Sequence, residues 1–154
     1  MRAVIQRVLR SSVVSDGVPT GKSEAGLMIL LGVRRGDEEK DAAVLAEKIA
    51  KLRIFNDENG KMNKSVCDVG GSALVISNFT LYANYAHGNR PDYFTSEGPE
   101  RASMLYEYFV SELKKSIPVE TGVFGADMTI DMVCDGPVTI VMDSEILLGK
   151  GKSE

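Results

Sequence analysis

The chain has no tryptophan, one histidine and two cysteines. Cys67 and Cys134 form no disulfide framework, and no CxxC spacing suggests zinc. A single imidazole, His87, does not build a histidine metal site, so neither a metal nor another cofactor is expected. No apolar run approaches the roughly 20 residues needed to span a bilayer. The opening MRAVIQRVLR sets arginines inside an alternating pattern and lacks the continuous apolar stretch of a signal peptide, which predicts a cytoplasmic protein without a membrane partner. Positive charge is not in excess either. A net charge of −4 argues against a wholesale nucleic-acid coat but not against a local basic patch. There is no internal repeat, no βαβαβ alternation and no glycine-rich phosphate loop.

What is present suits one globular domain: 154 residues, 44% hydrophobic and 26% charged. The domain is expected over residues 1–148, with a small polar tail at 149–154 expected to fray. AVIQRV alternates as a half-buried strand, and Asp16-Gly17 reads as a hairpin turn. GLMILLGV, from Gly26 to Val33, predicts a central strand covered on both faces. Asp37 is placed as the N-cap of a helix that buries Ala42, Leu45, Ile49 and Leu52. GGSALVIS gives a further strand leading into NFTLY, and residues 83–98 read as a long irregular loop of the functional or disordered kind. Pro99 suits the first turn of a second helix with Ala102, Leu105, Phe109 and Leu113 on its buried face. Met128, Ile130, Met132 and Cys134 keep a strand period, and PVTIVMD is expected to fold back as the hairpin partner across Asp135-Gly136. A proline inside that turn is unusual, because it fixes φ and removes a sheet donor. The class is α+β: mixed and antiparallel strands in a barrel-like body carrying two main helices.

Few side chains announce chemistry. Cys67 and His87 have nothing near them in sequence to orient a nucleophile pair, and the acidic DEEKD run reads as a solvated helix start. Arg34 and Arg35 could touch phosphates, but two arginines in a loop carry little weight. Ser77 and Thr80 stand where an apolar strand runs out, yet a threonine nucleophile needs an adjacent base and no triad pattern supplies one.

The ordered series IQRV, MILLGV, RIF with GKMN, GGSALVISNFTLY, GNRP, TGVFGADM and CDGPVT closely resembles the D-aminoacyl-tRNA deacylase family. The resemblance runs from Met1 to about Met142, and its sharpest motifs are the family's Ser-Gln-Phe-Thr-Leu and Asn-x-Gly-Pro-Val-Thr. Two positions depart from them: Asn78 stands for the glutamine and Cys134 for the asparagine.

The resemblance implies a carboxylic ester hydrolase that frees D-amino acids from tRNA, together with glycine mischarged on tRNA(Ala), and spares L-aminoacyl-tRNA. It implies that the bond between Gly136 and Pro137 is cis and reaches, with Val138 and Thr139, into the partner's site of a homodimer. There it would screen the chirality of Cα by main-chain contact, with Asn78 also facing the substrate. The backbone N–H groups of Phe79 and Thr80 would serve as oxyanion donors beside Ser77, and Phe79 would shape an adenosine pocket. The implied partner is the aminoacylated 3′ end of tRNA, not DNA, with Arg7, Lys61, Lys64 and Arg90 as expected basic contributors. Two other readings stay open: a dimeric RNA-end binding module without hydrolysis, and a general esterase using Thr80.

Overall fold

The computed structural model describes residues 1–150. Its organising element is β1 (Arg2–Ser15), a 14-residue strand with antiparallel neighbours on both edges. Its second half pairs with β2 (Val18–Ser23) through a tight turn at Asp16 and Gly17, whose φ values of 46° and 81° are those of the expected hairpin. Its first half pairs with β3 (Gly26–Gly32). After α1 (Glu39–Lys51) and a small ribbon of β4 (Phe55–Asn56) and β5 (Met62–Lys64), β6 (Ser72–Ser77) joins β3 in parallel. A 3₁₀ turn (Phe79–Tyr82), a long connection and α2 (Pro99–Lys114) lead to β7 (Val119–Thr121), parallel to β6. The chain closes with β8 (Met128–Asp143) on the other edge of β1 and a short α3 (Ser144–Leu147).

The path β2-β1-β3-β6-β7 curls until its ends meet, where the Lys22 N–H donates to Glu120 at 3.3 Å. The result is a nearly closed barrel of mixed strands, as expected. Strands β3 and β6 are covered on both faces, which explains their unbroken apolar runs. Leu27, Ile29, Leu31, Ala73 and Val75 face the helices, while Met28, Leu74 and Ile76 point into the barrel with Val8 and Val13. Helix α1 buries Ala42, Leu45 and Ile49, and α2 buries Ala102, Leu105, Phe109 and Leu113, at the spacing read from sequence. Leu52, the fourth expected residue of α1, caps the helix and is half-buried. Phe109 is fully buried between the helix layer and the sheet. Phe109→Ala should therefore cost about 3–5 kcal/mol, measurable as a lowered urea midpoint with an unchanged slope.

Three details correct the sequence reading. Asp37 is not the N-cap of α1; that position is Glu38, whose N–H donates to Asp41 at 3.0 Å. Asp37 is buried, and its carboxylate takes the Arg34 N–H at 2.6 Å and the Met1 ammonium at 2.8 Å. Burial opposes charge on Asp41, but the Glu38 N–H, the Ser144 hydroxyl and the nearby N-terminus together hold its carboxyl below the usual range.

The second correction is larger. CDGPVT is no hairpin turn, because Met128–Asp143 is one strand. Both of its halves run antiparallel to β1, from Ser15 opposite Met128 to Val8 opposite Cys134, and from Gln6 opposite Thr139 to Arg2 opposite Asp143. Two segments antiparallel to the same neighbour in the same sense do not pair with each other. Between the two stretches, Asp135, Gly136, Pro137 and Val138 oppose Arg7 alone, so the surplus chain projects as a wide bulge. The third correction is Arg7, which is buried beneath this bulge. Among the described residues no helix is long and apolar enough to cross a membrane. Of the tail expected to fray, Gly149 and Lys150 lie in the turn after α3, and 151–154 fall outside the described residues.

Candidate active site

Ser77 is the last residue of β6 and pairs with Leu31 of β3. The chain then turns sharply. The Asn78 N–H still donates to the Leu31 carbonyl at 2.9 Å, and Phe79 begins the 3₁₀ turn. As the first N–H groups of a helical turn, those of Phe79 and Thr80 have no turn acceptor, and neither donates to another group among the described residues. Both residues are exposed. Two adjacent main-chain donors thus stand without a partner at the end of a strand paired on both edges.

The surroundings hold this turn still. Ser96 donates its hydroxyl to the Phe79 carbonyl at 2.9 Å, and Thr95 donates to the Tyr82 carbonyl at 3.1 Å. Arg2 donates to the Leu81 carbonyl at 3.2 Å while paired with Asp143 at 2.8 Å, and its guanidinium lies 5.2 Å from the centre of the Tyr82 ring. The hydrogen bond that Arg2 donates to Asp143 outweighs burial and raises the Arg2 pKa, so the arginine stays charged. Burial, then the charge of Asp37, pushes the Tyr82 phenol well above its ordinary range, so it is not a general base near neutral pH. The Phe79 ring meets Tyr93 edge to face at 5.0 Å.

The Thr80 hydroxyl accepts a hydrogen bond from the Asn78 amide at 2.6 Å. Among the described residues no histidine or carboxylate hydrogen-bonds to it, which leaves a threonine nucleophile without a base. Asn78 orients Thr80 in this arrangement.

The second segment is the bulge. Arg7 is only 7% exposed and is the buried post on which the bulge stands. Its Nε donates to the Asp135 carbonyl and approaches the Asp135 carboxylate, each at 3.2 Å, and its Nη1 donates to the Ile54 carbonyl at 2.8 Å. A side chain so enclosed and already held by Asp135 and the Ile54 carbonyl is unavailable to RNA phosphates, which withdraws Arg7 from the expected basic contributors. Lys61 and Arg90 are exposed, and Lys64 pairs with Glu58. Val138 packs against the main core, and Thr139 donates its hydroxyl to Gln6 at 2.8 Å. Gly136 and Pro137, joined by a cis peptide bond, are left exposed at the tip. Support for the tip runs through Arg7, Gln6 and Val138, and Cys134 plays no part in these contacts.

The two segments do not meet within the chain. Strands β8, β1, β3 and β6 lie side by side, so Thr139 and Ser77 are three strand spacings apart, roughly 14 Å along the sheet. No hydrogen bond joins Ser77–Thr80 to Asp135–Thr139. Cys67 and His87 are not assembled either: the Cys67 thiol points at the Ala50 carbonyl, and His87 is exposed in the long loop. Arg2, Tyr93 and Ser96 are the site residues that sequence reasoning missed. Tyr93 alone left a signal, as one of three aromatic residues in a loop that is otherwise mostly polar.

Fold and site together define an α+β barrel whose candidate reactive centre is built from main-chain donors at a strand end. Comparison with known proteins narrows this class. The family model described as D-Tyr-tRNA(Tyr) deacylase matches residues 4–143. The D-aminoacyl-tRNA deacylase of Koribacter versatilis (strain Ellin345) is 54% identical over 146 residues, covering 94% of this chain and 98% of the relative. That of Ruegeria pomeroyi (strain ATCC 700808 / DSM 15171 / DSS-3) is 53% identical over 144 residues, covering 93% and 99%. Among solved structures, the c-Myc DNA Unwinding Element Binding Protein is 37% identical with a TM-score of 0.87, covering 93% of this chain and 98% of its own. A probable eukaryotic D-amino acid tRNA deacylase, at 14% identity and a TM-score of 0.78 over 92% and 98% of the two chains, shares the fold. The chain belongs to the D-Tyr-tRNA(Tyr) deacylase family.

Proposed function

We propose that this deacylase hydrolyses the ester of D-aminoacyl-tRNA to free D-amino acid and tRNA in the cytoplasm and spares L-aminoacyl-tRNA. The observation that carries the reading is the pair of unengaged N–H groups at Phe79 and Thr80, beside a threonine hydroxyl that no base activates. An aminoacyl ester is already activated. Its hydrolysis needs a placed water and donors for the developing oxyanion, which main-chain N–H groups provide without reorganisation. The terminal ribose hydroxyl orients the water.

Chirality is read at the bulge. In this reading the protein is a homodimer, and the Gly136-Pro137 tip of one subunit enters the Phe79–Thr80 site of the other. The tip's carbonyls take the substrate's amino group, and an L side chain would occupy the same space. A main-chain screen is indifferent to side-chain identity, so many D-residues pass. Glycine, including glycine mischarged on tRNA(Ala), passes as well. Support comes from the separation of the two segments in one chain and from the rigid mounting of the tip on Arg7.

Incubation with D-tyrosyl-tRNA and L-tyrosyl-tRNA tests the activity. Release of D-tyrosine alone is expected; tight binding without release would mean an RNA-end binding module instead. Thr80→Ala should retain substantial D-tyrosyl-tRNA hydrolysis, because it keeps the N–H and removes only the hydroxyl. Trapping a covalent aminoacyl adduct on Thr80, or rapid hydrolysis of small esters without tRNA, would establish a threonine esterase in its place.

A further inference from the structure

The ten phenylalanine and tyrosine residues are not spread evenly over the surface. Every exposed one lies between positions 79 and 94: Phe79 at 56%, Tyr85 at 80%, Tyr93 at 37% and Phe94 at 75% exposed. Phe79 and Tyr93 form the edge-to-face pair at the candidate site, whereas the Tyr85 and Phe94 rings have no aromatic partner. Displaying two large rings to water is unfavourable unless something covers them.

Their backbone is held firmly. Asn84 and Asp92 exchange main-chain hydrogen bonds at 2.8 and 2.9 Å, and their side chains join at 3.0 Å. The Asp92 carboxylate also takes the Phe94 N–H at 3.2 Å, and the Asn84 side chain takes the Ala86 N–H at 3.1 Å. Directly after Phe94, Thr95 and Ser96 are bonded to the 3₁₀ turn that carries the candidate oxyanion donors. The surface is thus continuous with the site. From Asn84 to Phe94 the charged residues are Arg90 and Asp92; the Asp92 carboxylate is engaged by the Asn84 amide and the Phe94 N–H, and Arg90 is the exposed cation of the segment.

We infer that Tyr85 and Phe94 are a stacking platform for the unpaired bases preceding the aminoacylated terminal nucleoside of the RNA, with Arg90 on the backbone, which rests on the aminoacyl-tRNA substrate proposed above. Single-stranded RNA ends are recognised by splayed bases stacked on aromatic faces beside cations. An apolar peptide would call for no cation here, and a second copy of the chain would make the platform necessary for association.

The test compares the wild type with Tyr85→Ala/Phe94→Ala on two substrates, D-tyrosyl-tRNA and the D-tyrosyl ester of adenosine alone. On tRNA, kcat/KM should fall about 10- to 100-fold, mainly through KM, since base stacking on an aromatic ring carries that much affinity. On the adenosine ester the variant should match the wild type, and Tyr85→Phe/Phe94→Tyr should behave as wild type on both. Equal loss on both substrates, no loss on tRNA, or a changed sedimentation coefficient of the double variant would overturn the platform. A wild type that cleaves neither ester would refute the activity rather than the platform. Binding of an uncharged single-stranded RNA octamer ending in CCA then decides: weaker binding by the double variant upholds the platform, and equal binding overturns it.

Discussion

Two inactive variants, mixed, should recover roughly a quarter of the wild-type activity if each site of a symmetric dimer takes one segment from each subunit. The first variant is Gly136→Ala. Gly136 has φ +139°, and a Cβ there would lie 2.6 Å from the Val138 nitrogen and 2.9 Å from its Cγ2. Neither contact is tolerable, so the tip must shift, and a shift of about 1 Å at a positioning element costs on the order of 100-fold. The second variant is Phe79→Pro, which deletes one of the two candidate donors. In a mixed dimer one site carries both lesions and the other carries none. Random exchange makes half of the dimers mixed, each with one intact site of two. Activity is read on D-tyrosyl-tRNA after subunit exchange, with each parent alone as control. No recovery in verified mixed dimers would place both segments of each site in one chain and overturn the shared-site reading.

Phe79→Pro by itself should lower kcat about 100- to 1,000-fold beyond the loss in Phe79→Ala, the range seen when an oxyanion donor is removed. Proline suits this position because Phe79 opens a helical turn, where its N–H has no acceptor and a fixed φ is accommodated. Asn78, the residue before it, is already extended at φ −146° and ψ 89°, broadly where a proline places its predecessor. Phe79→Ala removes the ring and its edge-to-face contact with Tyr93 but keeps the N–H, so the difference between the two variants isolates the donor. Single-turnover rates with enzyme in saturating excess over D-tyrosyl-tRNA make the measurement, and near-ultraviolet circular dichroism checks folding. Equal rates for the two variants would exclude the Phe79 N–H from catalysis.

Much of the fold was legible because its signals are local. The unbroken apolar run of β3 requires cover on both faces, and both faces are covered. The four-residue spacing of Leu105, Phe109 and Leu113 faces one side of a helix wherever that helix packs. Asp37 shows where local signals fail. A helix start favours acidic residues at several adjacent positions, and a distant group, the Met1 ammonium, decided which one became the cap. Arg7 failed for the same reason. An arginine in an alternating strand looks like surface charge until β8 and the Ile54 segment close over it.

By itself, the sequence determined the α+β class, the strand and helix faces, and the two motifs around Phe79 and Gly136, since periodicity and residue type travel with the chain. Only the tertiary structure decided what those motifs are in space. Asp-Gly before an apolar run predicts a hairpin, and nothing within residues 128–143 says otherwise. The outcome depends on β1, which is long enough to pair with both halves and so holds them in one direction. It also depends on Arg7, which anchors the extra residues as a projecting bulge. Pairing between strands more than a hundred residues apart leaves no local trace. For that reason, a stretch that reads as a turn became an exposed tip on one continuous strand.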